Sequence, residues 1–305
     1  MIMKRTLISL AYAAILLASV TALGSCKREP LHEPFSNYYL QLEPSFEAIH
    51  IKPKSPTMYE AVFYDKITHK EAGQSYLGAN GGYIYDVAPG IYELLVYSFD
   101  SGNTTVSGLR EYTGALASTE RYKEGDTLSY NAPDHLLVAS DPNFEIPFIV
   151  DRKEPEILYA YPKTIMDTWC VVIDGIEGLE NAVSMDIYIT GQSASNNFGT
   201  NTLSTTARTI HFPAAVDTHE DLIYTPFCTF GKLPDRRSML RLVIQDPNQR
   251  TFICYGDVTP QFDDPENTGH WLRLHFDLKI EPKKDGGMQP VVEPWNDNVF
   301  TYDIH

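Results

Sequence analysis

Apolar and polar residues alternate with a period of two along much of this chain. In the C-terminal half Val183, Met185, Ile187 and Ile189 alternate with Ser184, Asp186, Tyr188 and Thr190. Leu240, Leu242 and Ile244 alternate with Met239, Arg241 and Val243, and Leu272, Leu274, Phe276 and Leu278 with Trp271, Arg273, His275 and Asp277. Phe300, Tyr302 and Ile304 do the same with Val299, Thr301 and Asp303. A strand points successive side chains to opposite faces, so this pattern predicts antiparallel strands with one side on a core and one in water. Residues 169–173 are apolar throughout and predict a buried strand. In the N-terminal half, residues 59–65 are rich in β-formers. Residues 91–99 are largely apolar on both alternating faces, which predicts a central strand covered on two sides. Pro89-Gly90 supplies the tight turn before it, Asp100-Ser101-Gly102-Asn103 closes it, and residues 78–82 form another turn. Residues 144–150 read as the last strand of this half, with Pro147 marking an edge. The Ser-, Thr-, Asn- and Gly-rich stretch 191–206 predicts a long exposed loop. No window carries a sustained 3.6-residue apolar stripe. The expectation is an all-β chain with two immunoglobulin-like antiparallel β-sandwich domains in series, 38–152 and 153–305, parted by the charged run Asp151 to Pro155.

The first residues follow a different rule. Lys4 and Arg5 precede an apolar run from Leu7 to Val20, then Leu23-Gly24-Ser25-Cys26. This order predicts a secretory signal. The run is shorter than the roughly 20 apolar residues of a membrane span. A leucine three before a cysteine, with small residues between, resembles the lipobox of bacterial lipoproteins. The resemblance implies cleavage after Ser25, diacylglycerol on Cys26 and acylation of the new amine. Residues 1–25 are then a lipoprotein signal peptide, and residues 26–37, with Pro30 and Pro34, a lipidated tether. Lys27, where aspartate would favour inner-membrane retention, favours the outer membrane; either leaflet remains open.

Charge narrows the partners. The formal net charge is −16, and −18 once residues 1–25, which carry two bases and no acid, are removed. Nucleic-acid binding needs clustered Lys and Arg, so it is excluded as an expectation. An anionic bilayer would repel the chain, leaving the lipid as the anchor. With Cys26 lipidated, Cys170, Cys228 and Cys254 remain, each in an apolar setting; they are buried free thiols, or two of them form one bridge.

Candidate chemistry is sparse. Asp263-Asp264-Pro265-Glu266-Asn267 is dense in oxygen ligands but lacks the rhythm of a calcium loop, and reads as a solvated turn. His270 and His275, five apart on a strand, face opposite sides and share no metal. His135, His211 and His219 read as surface or hydrogen-bonded residues. Gly191 to Ser195 lacks the second glycine of a nucleophile elbow, and no phosphate loop is present. The expectation is a non-enzyme without cofactor or metal. Asp126-Thr127-Leu128 resembles the short O-glycosylation site of Bacteroidales, with Thr127 as acceptor, and chance is an equal explanation for three residues. Trp271, on the polar side of its strand, and Trp295, after a proline, are candidate partner or glycan contacts, or else packing residues.

The lipobox, the tether, Pro89-Gly90-Ile91-Tyr92, Pro133-Asp134-His135-Leu136, and Pro294-Trp295 before a last alternating segment together resemble Bacteroidales lipoproteins related to fimbrial anchor and assembly subunits. That resemblance implies two transthyretin-like β-sandwiches and no catalytic residues. It also implies a place at the base of a surface fimbria, or as an accessory subunit, with fimbrial or pilin subunits joined by β-strand complementation. Residues 291–304 are then either a closing strand or an ordinary terminal strand. The rival reading is a surface glycan-binding lipoprotein.

Overall fold

The computed structural model describes residues 38–124, 127–149, 154–217 and 219–282. The lipobox with Cys26, the tether, the charged residues 151–153, Trp295 and the alternating segment 299–304 lie outside them. The described chain is almost entirely strand. An eight-stranded sheet has the order Glu156–Ala160, Tyr38–Leu42, Gly81–Tyr83, Glu71–Gly78, Met58–Asp65, Gly90–Ser98, Leu137–Ile146 and Lys163–Thr164. A six-stranded sheet runs Thr251–Asp257, Met239–Gln245, Ser184–Ser193, Ala207–Pro213, Thr127–Asn131 and Arg121–Glu124. Val216–Asp217, Leu222–Thr229, Asp167–Glu177 and Trp271–Lys279 make one four-stranded sheet. Thr202–Leu203, Ser195–Asn197, Leu116–Thr119 and Thr104–Ser107 make another. Strands from either side of residues 152/153 share three of these four sheets.

The predicted central strand is central. Gly90–Ser98 lies between Met58–Asp65 and Leu137–Ile146, and Leu94 and Val96 enter one apolar cluster while Leu95 and Tyr97 enter another on the opposite face. The first cluster joins Leu40, Tyr59, Phe63, Leu77 and Ile146; the second joins Val62, Tyr64, Tyr112, Leu136, Phe198 and Phe230. A third cluster fills the sandwich of the six-stranded sheet on the sheet built around Asp167–Glu177, with Val171, Ile187, Leu240, Leu242, Leu272 and Phe276. Trp271–Lys279 keeps the predicted alternation: Leu272, Leu274 and Phe276 are buried and Arg273, His275 and Asp277 exposed. The turn at residues 78–82 also stands, and Gly81 is required there. Its φ is +117°, and a Cβ would sit 2.0 Å from the Leu40 carbonyl oxygen.

Three expectations are corrected. Trp271–Lys279 pairs parallel with Asp167–Glu177, Tyr38–Leu42 parallel with Glu156–Ala160, and Ala207–Pro213 parallel with Thr127–Asn131. Alternation fixes which side chains share a face, not the direction of the neighbour, so the sheets are mainly rather than wholly antiparallel. The exposed loop predicted over 191–206 is confined to residues 200–206; residues 191–199 are buried, with Asn197 half-buried. Gln192 and Ser193 are buried, and Ser195–Asn197 pairs with Leu116–Thr119 from the other half of the chain. The polar side chains are paid for by partners: the Thr229 hydroxyl donates to Gln192 Oε1 at 2.8 Å, and Ser193 Oγ lies 2.9 Å from the Ser195 and Ser204 carbonyls. Finally, Ser184–Ser193 has no wet face, because Tyr188 is as buried as Ile187 and Ile189. Of the two alternatives for the cysteines, all three are buried free thiols.

Candidate interaction surface

Among the described residues, one half of the eight-stranded sheet is covered on one face only. Side chains of Tyr38, Leu40, Leu77, Ile84 and Ala160 go into the core. Period two then turns Tyr39, Tyr76, Tyr83, Tyr85, Ile157 and Tyr159 outward. Tyr76 is 59 % exposed, and Tyr83, Tyr85, Phe99, Ile157 and Tyr159 are between 44 and 49 % exposed. The rings form two groups along a stripe across the strands. Tyr39 and Tyr83 meet edge to face at 5.3 Å, Tyr83 lies 6.3 Å from Tyr85, and Tyr76 lies 5.7 Å from Phe99. Phe99 stacks in turn on buried Tyr97 at 5.8 Å. The Tyr97 hydroxyl donates to the buried Glu60 carboxylate, and burial together with that bond holds the phenol protonated. Ile157 is the register partner of Tyr39, which carries the stripe to the sheet margin. No Lys or Arg lies on Tyr38–Leu42, Glu71–Gly78, Gly81–Tyr83 or Glu156–Ala160. Contiguous exposed rings of this kind mark interaction sites.

The margin itself is an open edge. The Glu43 N–H donates to the Ala160 carbonyl at 3.0 Å, so main-chain groups of Ala160, Leu158 and Glu156 face Tyr38–Leu42. Those of Ile157 and Tyr159 face outward, and no described strand pairs with them. Edges are usually blunted by lysine, proline or a bulge. This one has none within it; Pro155 and Pro162 only flank it.

The margin formed by Trp271–Lys279 is treated differently. The Trp271 N–H donates to Asn267 Oδ1 at 3.1 Å, while Asn267 Nδ2 donates to the Trp271 carbonyl at 2.8 Å. Two residues on, the Arg273 N–H donates to Gln261 Oε1 at 2.6 Å and Gln261 Nε2 donates to the Arg273 carbonyl at 3.0 Å. Each side-chain amide offers the donor and acceptor that a neighbouring strand would offer. Both come from the short helix Thr259–Asp263 and the turn after it. One edge is thus capped at Trp271 and Arg273, while among the described residues nothing caps the other at Ile157 and Tyr159.

The residues singled out by sequence do not converge. Trp271 is half-buried, with His50 edge-on at 4.5 Å and Tyr224 at 6.0 Å. Trp295 and Asp126 lie outside the described residues, and Thr127 opens a strand far along the six-stranded sheet. In the acidic turn, Asp263 accepts from Lys232 Nζ at 2.6 Å, and Asn267 serves the edge. His270 stacks on Trp169 at 4.4 Å, whereas His275 is exposed and bonds Asp174 at 2.5 Å. His211 bonds Asp186 at 2.7 Å. Among the described residues no group of three or more His, Cys, Asp or Glu is placed to hold a metal. The nearest thing to a reactive pair is Cys228 with its Sγ 3.7 Å from His135 Nε2, beside a cleft of about 240 Å³. That nitrogen donates to the Ile51 carbonyl at 2.7 Å, and Nδ1 accepts from the Thr164 hydroxyl at 2.7 Å. Burial pushes the Cys228 thiol up to about 12, so His135 is no base for it. Sequence reasoning missed the tyrosine stripe. Its signal was present in Tyr83-Ile84-Tyr85 and Tyr38-Tyr39-Leu40, where rings stand opposite core residues.

A solved structure shares this architecture, and others resemble it less closely. A candidate adhesin from Bacteroides ovatus superposes with a TM-score of 0.59 at 16 % identity, covering 82 % of this chain and 93 % of that one. A second candidate adhesin from Bacteroides ovatus gives 0.49 at 13 %, covering 82 % and 90 %. The fimbrial anchor protein Mfa2 from Porphyromonas gingivalis gives 0.48 at 13 %, covering 77 % and 87 %. At 16 % identity the first of these likenesses is one of fold. No curated protein matches the chain. Among the described residues no helix is long and apolar enough to cross a membrane. Residues 25–213, more than half of the sequence, match the family described as Domain of unknown function (DUF5119), and the chain belongs to that family.

Proposed function

We propose that this protein is a lipid-anchored cell-surface structural protein of the outer membrane, an anchor or accessory subunit of a fimbria-like assembly that engages a partner subunit by β-strand complementation. The observation that carries the reading is the contrast between margins: Trp271 and Arg273 are capped by side-chain amides, while the outward main-chain groups of Ile157 and Tyr159 meet no described strand and lie beside exposed aromatic rings. A strand added there gains main-chain hydrogen bonds, and its alternate side chains extend the stripe. The fold shared with a candidate adhesin across 82 % of the chain supports a surface adhesion role. The lipobox supplies the anchor, since several acyl chains hold where one is marginal. Cys26→Ser should move the protein from the membrane to the soluble fraction and strip the acyl mass from its terminus. Deletion of the gene should alter fimbrial length or retention on cells; unaltered fimbriae would remove the fimbrial role.

A second reading is surface glycan binding. It is favoured by the chemistry of the stripe, since tyrosine rings free of nearby bases stack on neutral sugars and keep a hydroxyl for hydrogen bonding. Binding to a glycan array, lost on Tyr83→Ala or Trp271→Ala, supports it, and a flat array removes it.

A further inference from the structure

We infer that the edge at Ile157 and Tyr159, which no described strand pairs, joins the same edge of a second copy of this chain, antiparallel and two-fold about Leu158. The inference rests on reading this edge as the one that accepts a partner strand.

Four observations carry it. First, Ile157 and Tyr159 stand symmetrically about Leu158, and theirs are the main-chain groups that face outward. In a two-fold antiparallel pair, Ile157 of each copy lies opposite Tyr159 of the other. Residues opposite each other with outward N–H and C=O exchange both bonds, so two such pairs use every outward group of these residues. Leu158, whose main chain faces Tyr38–Leu42, sits on the axis and gives up nothing. Second, the side chains match. Each copy sets a β-branched residue against an aromatic ring, a favourable cross-strand pair, and does so twice. Third, there is no charge conflict: Glu156 falls opposite Ala160, and the segment carries no other charge. Fourth, both side chains lie on the face of Tyr39 and Tyr83, so pairing joins two exposed stripes into one surface across the axis. A self-complementary patch of this kind is what an isologous dimer requires. An edge meant to stay single would need the capping given to Trp271 and Arg273.

The test is sedimentation of the full chain in detergent over a wide concentration range. Dimers are expected. Ile157→Pro deletes an outward N–H without touching the ladder to Tyr38–Leu42, and should weaken dimerisation by about tenfold or more, since the bond is lost twice per dimer. Charge variants guard against misfolding, each checked by its β-type circular dichroism. Ile157→Lys with Tyr159→Lys should be monomeric, and so should Ile157→Glu with Tyr159→Glu. Mixed together, the two should form heterodimers. Ile157→Lys combined with Tyr159→Glu in one chain should dimerise with itself. Wild-type chain that is monomeric throughout overturns the inference. So does a dimer indifferent to all these changes, or one that forms only after residues 283–305 are removed, which would assign the edge to the chain's own terminal segment. The same Ile157→Pro allele in cells separates the two claims. If the wild-type chain is monomeric, altered fimbriae in the Ile157→Pro strain sink the second copy and leave the partner strand standing, and unaltered fimbriae sink both.

Discussion

Asn267 and Gln261 do at one edge what an additional strand would do. Asn267→Ala leaves the Trp271 N–H and carbonyl without their partners, and should cost about 1–3 kcal/mol of unfolding free energy in a denaturant titration. Asn267→Asp, which keeps the acceptor and loses the donor, should fall between. His135 makes a pH prediction. Burial holds its imidazole below the ordinary histidine range, against a smaller upward pull from the Ile51 carbonyl. The folded state therefore binds the proton less readily than the unfolded one. Stability is full above the unfolded value of about 6.5 and is lost as pH falls below it. A melting temperature that drops between pH 7 and pH 5, with a shallower drop in His135→Gln, is the expected result. The thiols behave alike. Burial pushes Cys170 and Cys254 up to about 11 and Cys228 to about 12. None should react with a thiol reagent at pH 8 until denaturant is added. At this scale the sequence was a fair guide to burial, since each cysteine sits among apolar neighbours. It was silent on Asn267 and Gln261, because an amide that caps a strand looks the same in sequence as one that faces water.

The stretch 191–206 shows where an element escapes sequence reading. Its Ser, Thr and Asn content has the composition of a loop. Yet the Phe198 N–H donates to the Ala115 carbonyl at 3.1 Å, and the Ser193 N–H to the Gly231 carbonyl at 2.8 Å. The partners lie about 83 and 38 residues away, and no local pattern announces them. Phe198 is the anchor, 1 % exposed, in the cluster with Tyr97 and Tyr112. Phe198→Ala should cost about 3–5 kcal/mol by chemical unfolding, as a core ring does and a loop residue does not. Elements whose two faces were both spelled out in the chain fared better. Residues 91–99 announced a strand covered on both sides because both parities were largely apolar, Glu93 and Ser98 apart. Trp271–Lys279 announced its faces correctly and its parallel neighbour not at all.

At the scale of the molecule, all-β class and sandwich packing were legible, because turn residues and period two recur along the whole chain. The sharing of three sheets between the two halves was not, since it depends on long-range pairing. The tyrosine stripe was hidden for a related reason. A ring in an alternating strand counts equally well as core or surface until the sheet has been assembled and one face found uncovered. The open margin suggests one more property of the whole. On the proposed anchoring, a pull on the cell-surface end enters the folded part at Tyr38, and a load borne by the C-terminal half leaves past Ala160. These are opposite ends of two parallel, hydrogen-bonded neighbours. Tension then runs along their ladder and strains its slanted bonds together, where an unzipping hairpin would surrender them one at a time. The same two strands that form this margin are thus the clamp through which traction would pass, and any strand added beside them would widen it.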